Sequence, residues 1–196
     1  MNVPNKLTVS RFAITLLFLA VVFSRIPFHE TIALVLFSAA GLTDYYDGKI
    51  ARRDHLITNF GILMDPLADK ILVCSAFIAF VGRGWMPAWM VVIVVARELA
   101  ITGLRLLAAS KNLVLAAEGF GKHKTASQIV AILAILIFHS YWQWGLWGRA
   151  IFGFPAGGVP WVETFKNIAL YLSVILTFFS GTIYLWRNRR LYLADV

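Results

Sequence analysis

Two long uncharged runs limit what this chain can fold into. Residues 125–148 and 167–186 contain no Asp, Glu, Lys or Arg. Each run is long enough to cross a hydrocarbon core about 30 Å thick, which takes about 20 helical residues. The chain has 196 residues, of which 60% are hydrophobic, and this composition is too apolar for an ordinary soluble domain. The sequence therefore predicts an integral membrane protein.

Further apolar stretches reach spanning length if they are allowed to contain charges. They cover residues 7–24, 31–50, 58–82 and 85–108. Because no linker, repeat or low-complexity block divides the sequence, we expect one domain over residues 1–196. The predicted fold is all-α, with six transmembrane helices in one bundle.

The basic residues indicate how this bundle is oriented. If the amino terminus is cytoplasmic, most of them lie on that side: Lys6, Arg11, Lys49, Arg52, Arg53, Arg105, Lys111, Lys122, Lys124, Arg187, Arg189 and Arg190. The opposite side holds Arg25, Arg83, Arg149 and Lys166. This asymmetry follows the positive-inside rule and predicts that both termini are cytoplasmic. We expect the Arg187–Arg190 cluster to anchor the last helix at anionic headgroups.

Four carboxylates interrupt the apolar pattern. Asp44 and Asp47 come at the end of the second predicted helix, and Asp65 and Asp69 come early in the third. Acids in or near hydrocarbon are costly, so such a cluster is by default a site that binds cations or moves protons. Because the two helices would run antiparallel, both acidic ends are predicted at the same membrane face.

The spacing of these acids favours metal binding. The first pair is three residues apart and the second pair four, so each pair lies on one face of its helix. Four facing carboxylates repel one another unless they are protonated or bridged by cations. Hard oxygen ligands suit Mg²⁺ or Mn²⁺, and two such ions can share four acids. Ions held this way take up substrate phosphates, which indicates phosphoryl-group chemistry.

The full pattern resembles a known signature. It reads Asp44-x2-Asp47-Gly48-x2-Ala51-Arg52-x8-Gly61-x3-Asp65-x3-Asp69 and matches the CDP-alcohol phosphatidyltransferase family at every fixed position. Three flanking motifs are similar to the bacterial branch that uses sn-glycerol 3-phosphate as acceptor. They are the N-terminal stretch from Asn2 to Arg11, Ala96-Arg97-Glu98 with Gly103-Leu104-Arg105, and Gly121-Lys122-x-Lys124-Thr125-x2-Gln128. The resemblance extends over essentially the whole chain.

The resemblance implies an enzyme that moves the phosphatidyl group of CDP-diacylglycerol to the 1-hydroxyl of sn-glycerol 3-phosphate and releases CMP. By the same resemblance, the four acids correspond to ligands of a pair of Mg²⁺ or Mn²⁺ ions, and Asp69 corresponds to the general base. The CDP-lipid site would be lined by Gly48, Ala51, Arg52 and Gly61, with Asn5 and Thr8 from the first helix.

The acceptor carries its own phosphate and needs a second basic pocket. For this pocket we select Arg105, Lys122 and Lys124, with Arg11 and Arg97 behind them. Arg97 and Glu98 are sequence neighbours and start on different faces of their helix, so we do not expect them to pair. The alternative for either residue is a structural contact with another helix. Lys70 points roughly 100° away from Asp69, and we expect it to contact the helix surface or a neighbouring helix.

Other interpretations remain open. Within the family, the acceptor is alternatively phosphatidylglycerol (a cardiolipin synthase), inositol phosphate or serine. A cation or proton transporter is a more distant alternative, because intramembrane acids also occur there. The family resemblance further implies a homodimer in the bacterial inner (plasma) membrane, with the active site facing the cytoplasm.

Overall fold

A computed structural model describes residues 3–53, 59–111, 113, 115, 120–156 and 158–193. Within these ranges the side chains of residues 3–8, 44–53, 59–66, 69, 120–122, 156 and 193 are not described. The long helices are α1 (Val3–Phe23), α2 (His29–Arg53), α3 (Asn59–Gly82), α4 (Ala88–Ser110), α5 (Phe120–Ser140) and α7 (Trp161–Arg187). Shorter elements are a 3-10 helix (Tyr141–Trp144), α6 (Gly145–Phe152), strands β1 (Pro155–Ala156) and β2 (Val159–Pro160), and α8 (Arg189–Leu193). The prediction of an all-α chain is confirmed apart from this one small β-hairpin.

The six long helices form a closed arrangement. Helix α1 packs against both α2 and α3, α2 packs against α5, and α5 packs against α7. Helix α4 closes the arrangement by packing against α7 and α3, while α3 also contacts α5. Consecutive long helices from α1 to α4 are joined by short connections, so they run alternately up and down. The start of α1, the end of α2, the start of α3 and the end of α4 therefore lie at one end of the bundle, which we call the signature end.

Small residues allow these helices to approach closely. Alanines occupy fully or nearly fully buried positions on three of the helices: Ala33, Ala40, Ala76, Ala79, Ala131 and Ala134. Aromatic rings fill the remaining volume, as where Phe18 of α1 meets Phe37 of α2 at a centroid distance of 5.9 Å. Interfaces rich in small residues are typical of helices that associate in lipid, where burial of apolar surface supplies little driving force.

The outer surface of the bundle is apolar. Leu16, Val92, Leu99, Leu106 and Ile168 are each between 59% and 68% exposed. Two helical segments in the described part of the chain are long and apolar enough to cross a membrane, His123–Phe152 and Trp161–Arg187. Shorter apolar helical segments cover Val9–Phe23, His29–Thr43 and Lys70–Gly82. Exposed apolar side chains on this scale are expected for a surface that faces lipid rather than water.

The fifth predicted span is not one straight helix. Helix α5 ends at Ser140 and passes through the 3-10 helix, and the chain turns at Gly145, whose φ is 65°. An L side chain rarely adopts this conformation, so glycine is required at the turn. Gly148 lies so close to the preceding segment that a Cβ there would be 2.2 Å from the carbonyl oxygen of Tyr141. The sequence analysis did not anticipate this break.

A polar cluster joins three segments at the opposite, or distal, end of the bundle. Glu30 of α2 lies 3.0 Å from Nε2 of His29 and 3.9 Å from the guanidinium of Arg83. Its second carboxylate oxygen accepts a hydrogen bond from Gln143, whose amide oxygen accepts one from Thr31 at 2.8 Å. These partners satisfy a half-buried carboxylate and fix α2 against the ends of α3 and α5.

Candidate active site

The four signature acids lie in helical backbone at the signature end. Asp44 and Asp47 are in the second half of α2, and Asp65 and Asp69 are in the first half of α3. Five residues separate the end of α2 at Arg53 from the start of α3, so the two helix ends are held near each other by chain length alone. This placement agrees with the predicted meeting of both acidic segments at one face of the bundle.

Several predicted site residues lie outside the side chains that the structure describes. Their backbone is helical, in α1, α2, α3 or α5, and they are Asn5, Thr8, Asp44, Asp47, Gly48, Ala51, Arg52, Gly61, Asp65, Asp69 and Lys122. Their assignments to the metal, CDP-lipid and acceptor sites therefore stay predictions. The predicted residues with described side chains are Arg11, Arg97, Arg105 and Lys124.

A buried ion-pair cluster connects α4 to α5. Glu98 of α4 accepts a hydrogen bond from Nζ of Lys124 of α5 on its Oε1 atom. The same oxygen is 3.2 Å from Nη1 of Arg97. The exposed fraction of the side chain is 9% for Glu98, 6% for Lys124 and 14% for Arg97. One carboxylate is thus shared by two cations that the sequence analysis had selected for the acceptor pocket.

The expectation that Arg97 and Glu98 do not pair was wrong. Adjacent helical residues do start in different directions, but the arginine side chain is long enough to bring its guanidinium back to the neighbouring carboxylate. Burial explains why it does so, because an unpaired carboxylate in the interior would be costly. Glu98 was also missed as a site residue. An isolated acid within an apolar helix, with lysines at the start of the next helix, was the signal for it.

A second polar contact links α3 to the same region of α4. Lys70, which follows Asp69 in the chain, donates a hydrogen bond from Nζ to Oγ1 of Thr102. Thr102 in turn donates to the backbone oxygen of Glu98 at 2.7 Å. The prediction that Lys70 contacts a neighbouring helix is confirmed. The turn of α3 that carries Asp69 is therefore fixed to the turn of α4 that carries Glu98.

The backbone of α7 allows Arg97 to lie where it does. A Cβ on Gly181 would be 2.6 Å from Cγ of Arg97, so only glycine leaves room for the aliphatic part of this arginine. Both residues line a groove of about 300 Å³ between α4 and α7. The sequence analysis did not single out Gly181, because a lone glycine in an apolar helix is equally typical of close helix packing.

Arg105 and Arg11 lie in different surroundings. Arg105 is exposed, two turns beyond Arg97 on α4, and its Nε is 3.4 Å from the hydroxyl oxygen of Tyr184 of α7. Its guanidinium also lies 5.8 Å from the centre of the Tyr184 ring. Arg11 is 1% exposed within α1. The described contacts therefore bring Arg97 and Lys124 together through Glu98, whereas Arg105 is held separately against α7.

Taken together, the described side chains of this cluster carry more positive than negative charge. Glu98 neutralises one of its two partners, so the cluster of Arg97, Glu98 and Lys124 retains a formal charge of +1. One turn along α5 from Lys124, the side chain of Gln128 donates to Oγ1 of Thr177 at 3.0 Å, which is an uncharged buried pair. An ammonium has three N–H groups and a guanidinium five, so each of these cations can donate to more than one acceptor.

Comparison with known proteins places the chain in a family. The model described as CDP-alcohol phosphatidyltransferase matches residues 1–179. A CDP-diacylglycerol–glycerol-3-phosphate 3-phosphatidyltransferase of Bacillus subtilis (strain 168) is 36% identical over 199 residues, which cover 95% of each chain. A protein with the same name from Rickettsia bellii (strain RML369-C) is 28% identical over 93% of each chain. A probable phosphatidylglycerophosphate synthase of Mycobacterium tuberculosis (strain ATCC 25618 / H37Rv) is 32% identical over 96% of this chain and 82% of its own. The chain belongs to the CDP-alcohol phosphatidyltransferase family.

Proposed function

We propose that this chain is a phosphatidylglycerophosphate synthase, which transfers the phosphatidyl group of CDP-diacylglycerol to sn-glycerol 3-phosphate. The observation that carries the proposal is the 36% identity to a relative of that name across 95% of both chains. The acidic signature at one end of a helical bundle supports it. Acids at that end would lie near a membrane face, where phosphate groups of both substrates are accessible. In the reaction, the acceptor oxygen forms a bond to the phosphatidyl phosphorus, and the bond from that phosphorus to CMP breaks.

The proposal includes a membrane topology. The six long helices α1–α5 and α7 would each cross the bilayer, with both termini in the cytoplasm. The support is the basic-residue asymmetry together with the apolar outer surface of the bundle. The signature end would then face the cytoplasm of a bacterial cell, where a soluble acceptor meets a lipid held in the inner membrane. Labelling of Arg25→Cys and Arg189→Cys with a membrane-impermeant thiol reagent tests this topology. In intact cells the reagent should label Arg25→Cys and should not label Arg189→Cys.

The donor set at the signature end fits divalent metal ions. Asp44, Asp47, Asp65 and Asp69 supply only carboxylate oxygens, the ligand type that Mg²⁺ and Mn²⁺ prefer. We assign two such ions to these four acids. When bound, the ions would offset the negative charge that develops on the phosphates.

Each group of residues has a proposed task in the reaction. Asp69 takes the proton from the 1-hydroxyl of the acceptor as the new bond forms. The small residues Gly48, Ala51 and Gly61 leave space for the CDP group next to the acids. Arg52, with Asn5 and Thr8 from α1, supplies donors to the same group.

The acceptor phosphate would be bound by the basic residues of α1, α4 and α5. The members of this pocket are Arg11, Arg97, Arg105, Lys122 and Lys124. Lys124 and Arg97 have the strongest support, because Glu98 holds both in a buried cluster. The exposed Arg105 offers a direct test. Arg105→Gln should mainly raise KM for glycerol 3-phosphate, whereas the matched change Arg149→Gln at the distal end should leave it unchanged.

The activity itself can be measured with radiolabelled acceptors. The full chain, reconstituted with CDP-diacylglycerol and Mg²⁺ or Mn²⁺, should incorporate glycerol 3-phosphate into lipid and release CMP in equal amount. Asp69→Asn should abolish this incorporation, and Glu163→Gln, an acid at the distal end, should not affect it. Incorporation of phosphatidylglycerol, inositol phosphate or serine in place of glycerol 3-phosphate would refute the acceptor assignment.

A homodimer completes the proposal, because the family resemblance implies one. Native mass spectrometry of the detergent-solubilised chain should show twice the 21.9 kDa mass of a single chain. If only the single-chain mass is observed once the detergent has been removed from the protein, the homodimer is contradicted.

A further inference from the structure

A groove at the signature end lies outside the proposed reaction site. It has a volume of about 460 Å³ and runs between the end of α4 and the junction of α7 with α8. Lys111 follows the last residue of α4, and Arg187 and Arg190 flank the α7–α8 junction. None of the described lining residues is assigned above to metal, CDP-lipid or acceptor binding. The described groove is therefore distinct from the proposed reaction site.

The charged residues among the described lining of the groove are all basic. Lys111, Arg187 and Arg190 contribute three cations, and none of the described residues that line the groove is acidic. Lys111 is held in place, since its Nζ donates to the backbone oxygen of Leu191 at 3.3 Å. This contact ties the end of α4 to α8, so part of the cationic surface exists before any ligand arrives.

The rest of the lining is apolar. Leu113, Leu115 and Leu191 complete the groove beside the cations, and Leu113 is 51% exposed. A free phosphate would use the cations and leave these leucines in water. An amphiphile would use both, because a phosphate group and its attached glycerol and acyl chains present anionic and apolar surfaces next to each other.

Neighbouring side chains place the groove at the level of lipid headgroups. Trp186, in the last turn of α7, is 67% exposed, and the guanidinium of Arg189 lies 4.7 Å from the centre of its ring. Exposed tryptophans next to basic residues are typical of the boundary between hydrocarbon and water. Before this turn, α7 is apolar over the whole of residues 167–186. A lipid phosphate would thus meet the groove at its own depth in the bilayer.

We infer that this groove binds the headgroup phosphate of an anionic phospholipid, with Lys111, Arg187 and Arg190 on the phosphate and the three leucines on the adjoining glycerol and acyl segments. Such a lipid would hold α4, α7 and α8 together at the face where the reaction is proposed. The inference does not depend on which alcohol the enzyme uses.

The full chain offers a matched pair of variants. Arg190 lines the groove, whereas its neighbour Arg189 is equally charged and exposed but lies over Trp186 instead. Native mass spectrometry of the detergent-solubilised chain, titrated with phosphatidylglycerol, counts the lipids retained on each protein. Phosphatidylcholine serves as the zwitterionic comparison. A nearby cation is worth about fivefold in lipid affinity, so Arg190→Gln should weaken retention of phosphatidylglycerol about fivefold, and Arg189→Gln should change it less than twofold.

Three results would overturn the inference. Equal losses of phosphatidylglycerol retention in Arg189→Gln and Arg190→Gln would mean that the lipid is attracted to the basic surface as a whole and not to the groove. Equal retention of phosphatidylcholine and phosphatidylglycerol would mean that charge is not recognised. Competition by millimolar inorganic phosphate would mean that the groove takes a free phosphate and not a lipid. A Leu113→Gln variant distinguishes a lipid from a free phosphate independently. It should weaken retention of the lipid, whereas any binding of inorganic phosphate should be unchanged.

Discussion

The buried pair of Glu98 and Lys124 permits a quantitative test of the interior. Both side chains are less than 10% exposed, so solvent screening reduces their interaction little. Removing one partner of a buried ion pair costs about 3–5 kcal/mol, because the other charge is left without compensation. Glu98→Gln should reach this range, since it leaves both Lys124 and Arg97 without their shared carboxylate. Lys124→Gln should cost less, about 1.5–3 kcal/mol for one charged hydrogen bond, since Glu98 keeps Arg97 at 3.2 Å.

The double variant Glu98→Gln/Lys124→Gln distinguishes pairing from independent effects. Two neutral amides of similar size can hydrogen-bond to each other, so its loss of stability should not exceed that of Glu98→Gln alone. The difference from additivity should be about 2 kcal/mol, within the range found for contacting residues. Unfolding in mixed detergent and SDS micelles, followed by far-UV circular dichroism, measures all three variants. Activity should not return in the double variant, because the proposed phosphate ligand Lys124 is still missing.

A matched lysine provides the control. Lys166 of α7 lies 4.0 Å from the centre of the Phe138 ring at the distal end, and a cation–π contact is worth about 0.5–1 kcal/mol at exposed sites. Lys166→Gln should therefore destabilise the chain less than Lys124→Gln and leave activity unchanged. Two results would refute the reasoning that Glu98 and Lys124 act as a buried pair. One is a loss of stability in the double variant equal to the sum of the two single losses, and the other is an equal loss of stability in Lys124→Gln and Lys166→Gln.

Other predictions concern the proposed reaction. Asp69→Asn should keep binding of CDP-diacylglycerol, measured by retention of the labelled nucleotide lipid, and lose turnover; near-normal turnover would remove Asp69 as the base. Gly181→Ala should displace Arg97 and raise KM for glycerol 3-phosphate severalfold, whereas Gly103→Ala, where a Cβ meets nothing within 4 Å, should not; equal KM values in steady-state assays would place Arg97 outside the pocket. Chelation by EDTA should abolish incorporation of acceptor, and re-addition of Mg²⁺ or Mn²⁺ should restore it; full activity in EDTA would exclude the metal assignment.

The length of the apolar stretches predicted the helices well because each long helix must bury an apolar face or meet lipid. The predicted stretch 85–108 corresponds to α4 at Ala88–Ser110, and the stretch 58–82 corresponds to α3 at Asn59–Gly82. The break after Ser140 was not predictable from the same pattern, since the run remains apolar across it. It depends on the conformation at Gly145, whose φ is positive, and a glycine in an apolar run does not by itself indicate a turn.

Side-chain partners within the site were harder to predict than the positions of the helices. The contact of Lys70 with a neighbouring helix followed from its direction relative to Asp69. The pairing of Arg97 with Glu98 was missed because helical directions describe where a side chain starts, and a long guanidinium can reverse that direction. An acid in α4 followed by lysines at the start of α5 indicated that a pair was possible. Which lysine pairs with Glu98 depends on how the two helices lie relative to each other, and the sequence pattern does not give that arrangement.

The charged side chains at the two ends of the bundle are paired differently, and this difference bears on function. At the distal end, the carboxylate of Glu30 is matched by Arg83, His29 and Gln143. At the signature end, Glu98 is shared by two cations, and the four signature acids lie in α2 and α3 at the same end. Those acids alone would repel a nucleotide lipid and a phosphorylated acceptor, both of which are anionic. Divalent ions on the acids together with cations held by Glu98 would reverse that repulsion and bring two anions together. If the polar groups of the bundle served stability alone, we would expect the carboxylates at the signature end to be matched by neighbouring side chains, as Glu30 is at the distal end.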